Sequence, residues 1–255
     1  MCMLYAFSAK SNFVLNNNLK KFFNFSSFHP HGWGLAAYDN KKDLRIVKDK
    51  GSANKNSKLK AILNNKNVAT KLAIAHIRYA TEGEVSYNNA HPFKAEINGE
   101  QWAFAHNGSI KDLNVKLYIK PEGETDSEEF FCYLQQRILE AGAIELEQKT
   151  TIIEDCIKKF SKNSKLNLVI SDGTHLFIHC NYKHSLYSCQ TEKFVCISTK
   201  PLSENSICVE WNPIELNRLI VFKDGTKLYE GKSHNNEFFK RIRQTSFEQL
   251  RYMEE

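Results

Sequence analysis

The chain opens with Met1-Cys2-Met3-Leu4-Tyr5-Ala6-Phe7, and the second residue of this stretch carries its most distinctive chemistry. Removal of Met1 would make Cys2 the first residue, so that one residue holds both a thiol and a free α-amine. An unperturbed thiol has a pKa of about 8.5, and an α-amine titrates at about 7.7–8.0. The amine can accept a proton near neutral pH, and the thiolate that forms is a nucleophile. The opening is therefore compatible with a nucleophile that has its own base, the N-terminal variant of triad chemistry.

The run from Met3 to Phe7 is apolar throughout, which is typical of the start of an edge or core strand. On this stretch alone, an inert cysteine before an ordinary strand is the simpler interpretation. The choice depends on whether partner groups for a nucleophile occur further along the chain.

Composition narrows the class of protein. The 255 residues are 42% hydrophobic and 25% charged, which is typical of a globular domain, and we expect one domain over 1–255. The seven cysteines lack CxxC spacing, which argues against a disulfide framework or a structural zinc site and favours a reducing cytoplasm. The net charge of +6 is spread along the sequence and no apolar run reaches the length of a membrane span, so we expect neither a nucleic-acid nor a membrane partner.

Hydrophobic periodicity and turn residues predict a strand-rich chain with two adjacent central helices. We expect helices over 12–25, 59–63, 126–141 and 144–160, with a basic helical tail within 232–255. We expect strands over 3–7, 35–38, 44–48, 72–81, 102–105, 166–171, 175–180, 186–189, 194–198, 218–222 and 227–229.

Arg78 lies near the end of the apolar run 72–81, where an isolated arginine is unfavourable unless it meets an anion. It would form either an internal salt bridge or a clamp for a carboxylate, which a guanidinium binds with two parallel hydrogen bonds. The residues alone leave both interpretations open.

The pair Asn107-Gly108 follows the predicted strand 102–105. Asn-Gly commonly marks a simple turn, and local sequence favours that interpretation. The same pair can also aim a side-chain amide and a backbone N–H at one point, as an oxyanion hole requires.

Thr125 and Glu128 match a capping box, so Asp126 lies at the start of a predicted helix. Its carboxylate would compensate the helix macrodipole, or it would bind a substrate ammonium. Upstream, His29 and His31 lack an acidic or thiol partner nearby, so we interpret their segment, with Trp33 between two glycines, as a loop near a pocket rather than a metal site.

Cys2, Arg78, Asn107-Gly108 and Asp126 together resemble, in order and spacing, the class II glutamine amidotransferases, which are N-terminal nucleophile (Ntn) hydrolases. The matching segments are Met1-Cys2, His76-Ile77-Arg78-Tyr79-Ala80-Thr81, Asn89-Ala90-His91-Pro92, His106-Asn107-Gly108 and Gly123-Glu124-Thr125-Asp126-Ser127-Glu128. The closer likeness is to members without a fused synthase domain, in which segments like His31-Gly32-Trp33-Gly34 and Ser198-Thr199-Lys200-Pro201-Leu202 occur. The resemblance implies an α+β fold, a four-layer αββα sandwich of two antiparallel sheets between helical layers.

The resemblance also implies an enzyme that hydrolyses the γ-amide of glutamine, or of another γ-glutamyl amide, and releases ammonia or an amine. Cys2 would attack the amide carbon and carry the glutamyl group as a thioester. Asn107 and Gly108 would stabilise the oxyanion. No metal and no cofactor are implied.

For the substrate, the resemblance assigns the α-carboxylate to Arg78, with Tyr79 and Thr81 beside it, and the α-ammonium to Asp126. Three further residues would line the pocket: His91, His106 and Trp33.

Two departures from the family pattern stand out. Glu82 occupies a position where some members have histidine, and His31 replaces an expected aspartate. A separate synthase that accepts ammonia is the partner implied for a member of this kind. The alternative function is a non-catalytic amino-acid-binding or assembly subunit that retains the fold, and the oligomeric state does not follow from the sequence.

Overall fold

The structure is a computed structural model, and it describes residues 2–65, 68–202, 207 and 210–239. The strands are β1 Met3–Val14, β2 Trp33–Tyr38, β3 Leu44–Asp49, β4 Ala69–Ile77, β5 Phe93–Ile97, β6 Glu100–Ser109, β7 Lys165–Ser171, β8 His175–His179, β9 Tyr187–Gln190, β10 Phe194–Ser198, β11 Asn212–Pro213, β12 Leu219–Lys223 and β13 Thr226–Glu230. The helices are α1 Asn16–Asn24, α2 Ser57–Asn65, α3 Asp126–Glu140 and α4 Leu146–Ser161.

The strands form two sheets in which neighbours pair in antiparallel fashion. The first has the order β11-β9-β10-β1-β4-β2-β3, and the second has the order β13-β12-β8-β7-β6-β5. In the first sheet β1 lies between β10 and β4, and in the second β6 lies between β5 and β7. The functional motifs at Cys2, Arg78 and Asn107-Gly108 therefore lie at the ends or in the interior of sheet strands.

Successive residues of β1 are buried on opposite faces, which explains its continuous apolar run. Tyr5 and Phe7 pack with α1 and α2, whereas Leu4 and Ala6 pack in the cluster between the two sheets. A third cluster lies between the second sheet and the helices α3 and α4. Three hydrophobic layers thus separate four structural layers, and the predicted αββα sandwich is confirmed.

The central helical pair is confirmed with small shifts of boundary. The side chain of Thr125 accepts a hydrogen bond from the Glu128 N–H, so the predicted cap starts α3 at Asp126. Gly142 has a φ of 58°, the left-handed conformation that ends helices. Each helix in the described part of the chain is too short or too polar to cross a bilayer.

Two predictions about local structure are wrong. Asn107-Gly108 is not a turn, because β6 continues through both residues to Ser109 and pairs with β7 along its whole second half. The helix predicted over 12–25 begins only at Asn16, because β1 extends to Val14 and pairs there with Ala69.

The predicted C-terminal helix is not helical where the structure describes it, over 232–239, and the residues 240–255 lie outside the described part of the chain. The segment instead runs along the second sheet. The N–H groups of Gly231, His234 and Phe238 donate to the carbonyl oxygens of Leu219, Asn217 and Asn181.

A buried charge network joins α4 to the second sheet. Lys149 Nζ lies 2.6 Å from Glu100 Oε2 and 3.1 Å from Asp172 Oδ2, and His175 Nδ1 lies 3.0 Å from the same Asp172 oxygen. Burial alone would raise the pKa of Asp172, but hydrogen bonds from His175 and the Lys149 charge outweigh it and lower that pKa to about 2. The Asp172 side chain has no exposed surface, so this shift contributes to stability.

We expect Asp172→Asn to destabilise the protein by roughly 2 kcal/mol above pH 5, because the pKa falls from 3.8 to about 2 on folding. A lowered carboxyl pKa contributes stability that is present above the unfolded value and lost as pH falls towards the folded value. About half of the difference between wild type and variant should therefore remain at pH 3. Urea denaturation of both proteins at pH 6 and pH 3 measures it, and an equal difference at both pH values would contradict the assignment.

Candidate active site

Eight of the ten residues that the resemblance assigned to the site, all but Asn107 and Trp33, line one narrow cleft at the ends of β1 and β4, beside β6 and the start of α3. Its water-accessible volume is about 30 Å³, which is room for one or two water molecules. The lining comes from separate elements and comprises Cys2, Arg78, Tyr79, Ala80, Thr81, Glu82, His91, His106, Gly108, Thr125, Asp126 and Ser127.

Cys2 is half-buried at the start of β1, where it faces the chain just beyond β4. Its Sγ accepts a hydrogen bond from the Tyr79 N–H at 3.3 Å and lies 3.6 Å from the Tyr79 carbonyl oxygen. Burial raises the pKa of the thiol, and the Tyr79 backbone with the charges of Arg78 and Lys165 opposes that rise. The thiol is thus surrounded by groups that favour a thiolate, within a site whose burial disfavours it.

Arg78 is buried, with 3% of its surface exposed, and its guanidinium holds the loop that follows. Nη1 donates to the Glu84 carbonyl oxygen at 2.8 Å, and Nη2 donates to the carbonyl oxygens of Glu82 and Gly83 at 2.8 and 3.3 Å. From the sequence we expected Arg78 to meet an anion. In the structure its guanidinium instead binds the carbonyl dipoles of the backbone. Arg78 therefore shapes the loop 79–84 over the cleft.

The loop is also tied to the end of β6. Glu82 Oε1 accepts a hydrogen bond from Ser109 Oγ at 3.3 Å and lies 3.7 Å from Lys111 Nζ. These groups are exposed, so each contact is weak. The loop closes the cleft on its open side through contacts that are easily exchanged for others.

Asn107 and Gly108 lie side by side within β6. Asn107 is almost fully buried, and its Oδ1 lies 3.1 Å from Lys165 Nζ. Its Nδ2 has no hydrogen-bond partner among the described residues, an uncommon state for a buried amide. A Cβ on Gly108 would lie 1.7 Å from the Lys165 carbonyl oxygen, so glycine is required for the close approach of β6 and β7.

Asp126 occupies the first turn of α3. Its Oδ2 accepts a hydrogen bond from the Ile110 N–H at 2.6 Å, and Ser127 Oγ donates to its Oδ1 at 3.1 Å. The carboxylate is partly exposed at the cleft, so it can meet a cation there.

The predicted pocket histidines His91 and His106 do line the cleft, and His76 lies behind them. Burial lowers the pKa of each of the three, so all are neutral at pH 7. The rings of His76 and His91 lie against each other at an angle of 34° with centroids 4.3 Å apart, and neither ring nitrogen of His91 has a partner among the described residues. Among those residues no cluster of acidic, histidine and cysteine side chains is arranged to hold a metal ion.

The remaining predicted residues are placed differently. Tyr79 and Thr81 lie exposed at the cleft, with the Tyr79 ring against His29 and His31. Trp33 does not line the cleft, because its position in β2 points it towards α1, where its ring contacts Phe23 in the core. The adjacent Gly34 makes the close approach instead, since a Cβ there would lie 2.2 Å from the His91 carbonyl oxygen.

Three residues complete the site without having been named as functional from the sequence. Lys165 contacts Asn107, and Ser127 Oγ lies 2.9 Å from His106 Nδ1. Thr199 Oγ1 accepts a hydrogen bond from the Leu4 N–H at 2.8 Å, and its own N–H donates to the Leu4 carbonyl oxygen. The structure also gives a role to His31, which replaces the aspartate expected from the family pattern. His31 Nδ1 accepts a hydrogen bond from the Ala80 N–H at 3.0 Å and fixes the turn after Arg78.

Comparison with known proteins agrees with this geometry. A family profile for class II glutamine amidotransferases matches residues 1–190. A Haemophilus influenzae protein, provisionally named a glutamine amidotransferase, is 30% identical over 235 residues, which cover 79% of this chain and 76% of that protein.

Solved structures share the fold at low sequence identity. The crystal structure of a predicted glutamine amidotransferase from Pseudomonas aeruginosa has a TM-score of 0.63 at 22% identity, covering 89% of this chain and all of that one. The glutamine phosphoribosylpyrophosphate amidotransferase of Bacillus subtilis has a TM-score of 0.67 at 16% identity, covering 92% of this chain and 50% of that one.

We expect Gly108→Ala to destabilise the protein by at least about 3 kcal/mol, because the added methyl group would overlap the Lys165 carbonyl oxygen. Gly51→Ala is the matched control, since its nearest neighbour would be Asp49 Oδ1 at an ordinary 3.4 Å. Denaturant unfolding followed by circular dichroism compares the two variants. Equal stabilities would mean that β6 and β7 are not this close at Gly108.

Proposed function

The chain belongs to the class II glutamine amidotransferases, and from this membership we propose that it hydrolyses the γ-amide of glutamine, or of a related γ-glutamyl amide, through a thioester on Cys2. The observation that carries the proposal is the convergence of Cys2, Arg78, Gly108 and Asp126 on one cleft from four separate parts of the chain. The space where an amino-acid substrate would bind is then surrounded by a thiol, the backbone of Gly108, a cation and an anion.

The nucleophile requires that Met1 be removed, so that Cys2 carries the free α-amine. The amine then takes the thiol proton, directly or through a water molecule. The Tyr79 N–H, which donates to Sγ, and the nearby charges of Arg78 and Lys165 favour the thiolate in a site where burial raises the thiol pKa.

In the first step Sγ bonds to the γ-carbon of the substrate, and the carbonyl oxygen takes the negative charge. Asn107 Nδ2 and the Gly108 N–H are the proposed donors to this oxyanion. The buried Nδ2 has no partner among the described residues, so it can serve this role without first breaking a bond. Removing one such donor typically slows catalysis roughly 10²–10³-fold.

The carbon–nitrogen bond then breaks, and the amine or ammonia leaves with the proton that the α-amine had accepted. Water attacks the thioester, its proton returns through the α-amine, and glutamate and the free thiol are restored. Hydrolysis of free glutamine, transfer of ammonia to a separate synthase and cleavage of a larger γ-glutamyl amide share these steps, because all three present the same head group.

Substrate recognition requires the loop 79–84 to move. The cleft of about 30 Å³ cannot admit an amino acid, and the Arg78 donors are occupied by the loop carbonyls. A substrate α-carboxylate would replace some of these carbonyls at the guanidinium, and Asp126 would pair with the α-ammonium. The weak exposed contacts of Glu82 are suited to such a rearrangement.

We expect Cys2→Ala to abolish glutamine hydrolysis while leaving the circular dichroism spectrum unchanged, because only the nucleophile is removed. Intact mass spectrometry of the wild type, before and after a diazo-ketone analogue of glutamine, checks the premise. Loss of the Met1 mass and one adduct mapped to Cys2 are the expected results. A retained Met1 without an adduct would favour a non-catalytic binding or assembly subunit.

We expect Asp126→Asn to lower kcat/KM for glutamine roughly 10–100-fold, since it removes the charge that pairs with the α-ammonium. The asparagine oxygen can still accept the Ile110 N–H, so the start of α3 is preserved. Hydrolysis of glutaramate, which lacks the α-amine, should change less than about threefold. Asp155→Asn, at an exposed position on α4, is the control; equal losses with both substrates would remove Asp126 from substrate recognition.

A further inference from the structure

We propose that Lys165 is a positioning residue of the oxyanion site, which acts by holding the Asn107 amide in the orientation that catalysis requires. This inference rests on the proposed function, since it concerns the donor that Asn107 presents to the oxyanion. It concerns a residue that neither the motifs nor the composition of the chain singled out.

The sheet register brings the two residues together. Lys165 is the first residue of β7, and β7 pairs with β6 so that Asn107 lies opposite Asn167 and Ser109 lies opposite Lys165. The Lys165 ammonium lies 3.1 Å from Asn107 Oδ1. Only 6% of Lys165 and 1% of Asn107 are exposed, so water cannot compete for this contact.

The contact decides which way the amide points. An ammonium only donates hydrogen bonds, whereas an asparagine amide has an acceptor oxygen at one end and a donor nitrogen at the other. With Oδ1 held by Lys165, Nδ2 must occupy the opposite position, where it has no partner among the described residues. Rotation of the amide by half a turn would place its donor nitrogen next to the ammonium. Two buried donors would then face each other without an acceptor, which is unfavourable.

The positive charge also acts through the amide. In a buried site a cation at the oxygen end polarises the amide and strengthens its N–H donors. Among the groups that face the ammonium are the Cys2 and Cys180 thiols and the Tyr182 ring, whose centroid is 5.3 Å from Nζ. His106 Nε2 lies 3.0 Å from the Lys165 carbonyl oxygen and is a neutral neighbour, because burial lowers its pKa.

Burial lowers the pKa of Lys165 to about 8. Lys165 is therefore protonated below that pH and loses its positive charge as the pH rises through it. A contribution of Lys165 to the oxyanion site should fade on the alkaline side of neutrality, in kcat rather than in KM.

Two substitutions separate orientation from charge. Lys165→Met removes the donor and the charge at similar length, and Lys165→Gln keeps a donor without the charge. Lys162→Met, at an exposed position three residues earlier, is the control and should retain wild-type kinetics. Circular dichroism and thermal unfolding establish that each variant is folded, and either Lys165 variant alone suffices for the test.

We expect Lys165→Met to lower kcat at least about 10-fold, up to the roughly 10²–10³-fold loss of an oxyanion donor, with KM changed less than about threefold. Lys165→Gln should recover part of kcat, and both variants should lose the alkaline decline that Lys165 causes. In an Asn107→Ala background, Lys165→Met should have little further effect, because the residue acts through Asn107.

Alkylation of Cys2 by iodoacetamide provides a readout that needs no turnover. It should fall much less than kcat in Lys165→Met, since the neutral reagent does not use the oxyanion site and the Lys165 charge is the smallest of the contributions that favour the thiolate. A fall in this rate as large as the fall in kcat, or losses that multiply in the double variant, would overturn the proposal and assign Lys165 to the thiolate instead. Absence of wild-type turnover would instead refute the proposed function, and retained wild-type kcat in a folded Lys165→Met would refute only the present inference.

Discussion

The structure depends on the antiparallel pairing of β1 with β4, in which Met3 lies opposite Ile77. This register places the residue before β1 against the residues after β4, so Cys2 meets the Tyr79 backbone and lies close to the Arg78 charge. A slip by one residue would turn every side chain of β1 to the other face, and both faces are packed. The apolar residues that form the core thus also fix the position of the thiol.

Both burial and hydrogen bonding determine the state of the polar groups at the site. Arg78 and Lys165 are cations in low-dielectric surroundings. Arg78 donates to backbone carbonyl oxygens, and Lys165 donates to the side-chain oxygen of Asn107. The histidines behind the cleft are neutral because burial lowers their pKa values. Under the proposed function, such a site would offer fixed donors to a developing negative charge, the preorganisation that catalysis of acyl transfer requires.

The sequence predicted the fold well where a signal was local or repeated. The Thr125 cap and the helical periodicity specify α3 and α4 within a few residues. The apolar run 3–7 specifies the start of β1, which extends further, to Val14. Asn107-Gly108 misled because Asn-Gly favours a turn in isolation, whereas here glycine is required by the neighbouring strand. Trp33 was expected in the pocket but lies in the core, because the direction of a side chain arises only from tertiary packing. Lys165 and Thr199 were given no role, because their contacts join residues 58 and 195 positions apart in the sequence.

The bonds between Leu4 and Thr199 also bear on the order of events during synthesis. The first strand is not fully held in its sheet until β10 and Thr199 have been made, at a sequence separation of 195 residues. While the ribosome produces the intervening chain, the nascent N-terminus has not yet been enclosed by the strands on both of its sides. Under the proposed mechanism, removal of Met1 would fall in this early interval, before β10 and Thr199 pair with β1. The long contact would then separate exposure of the Cys2 amine from completion of the sheet in time.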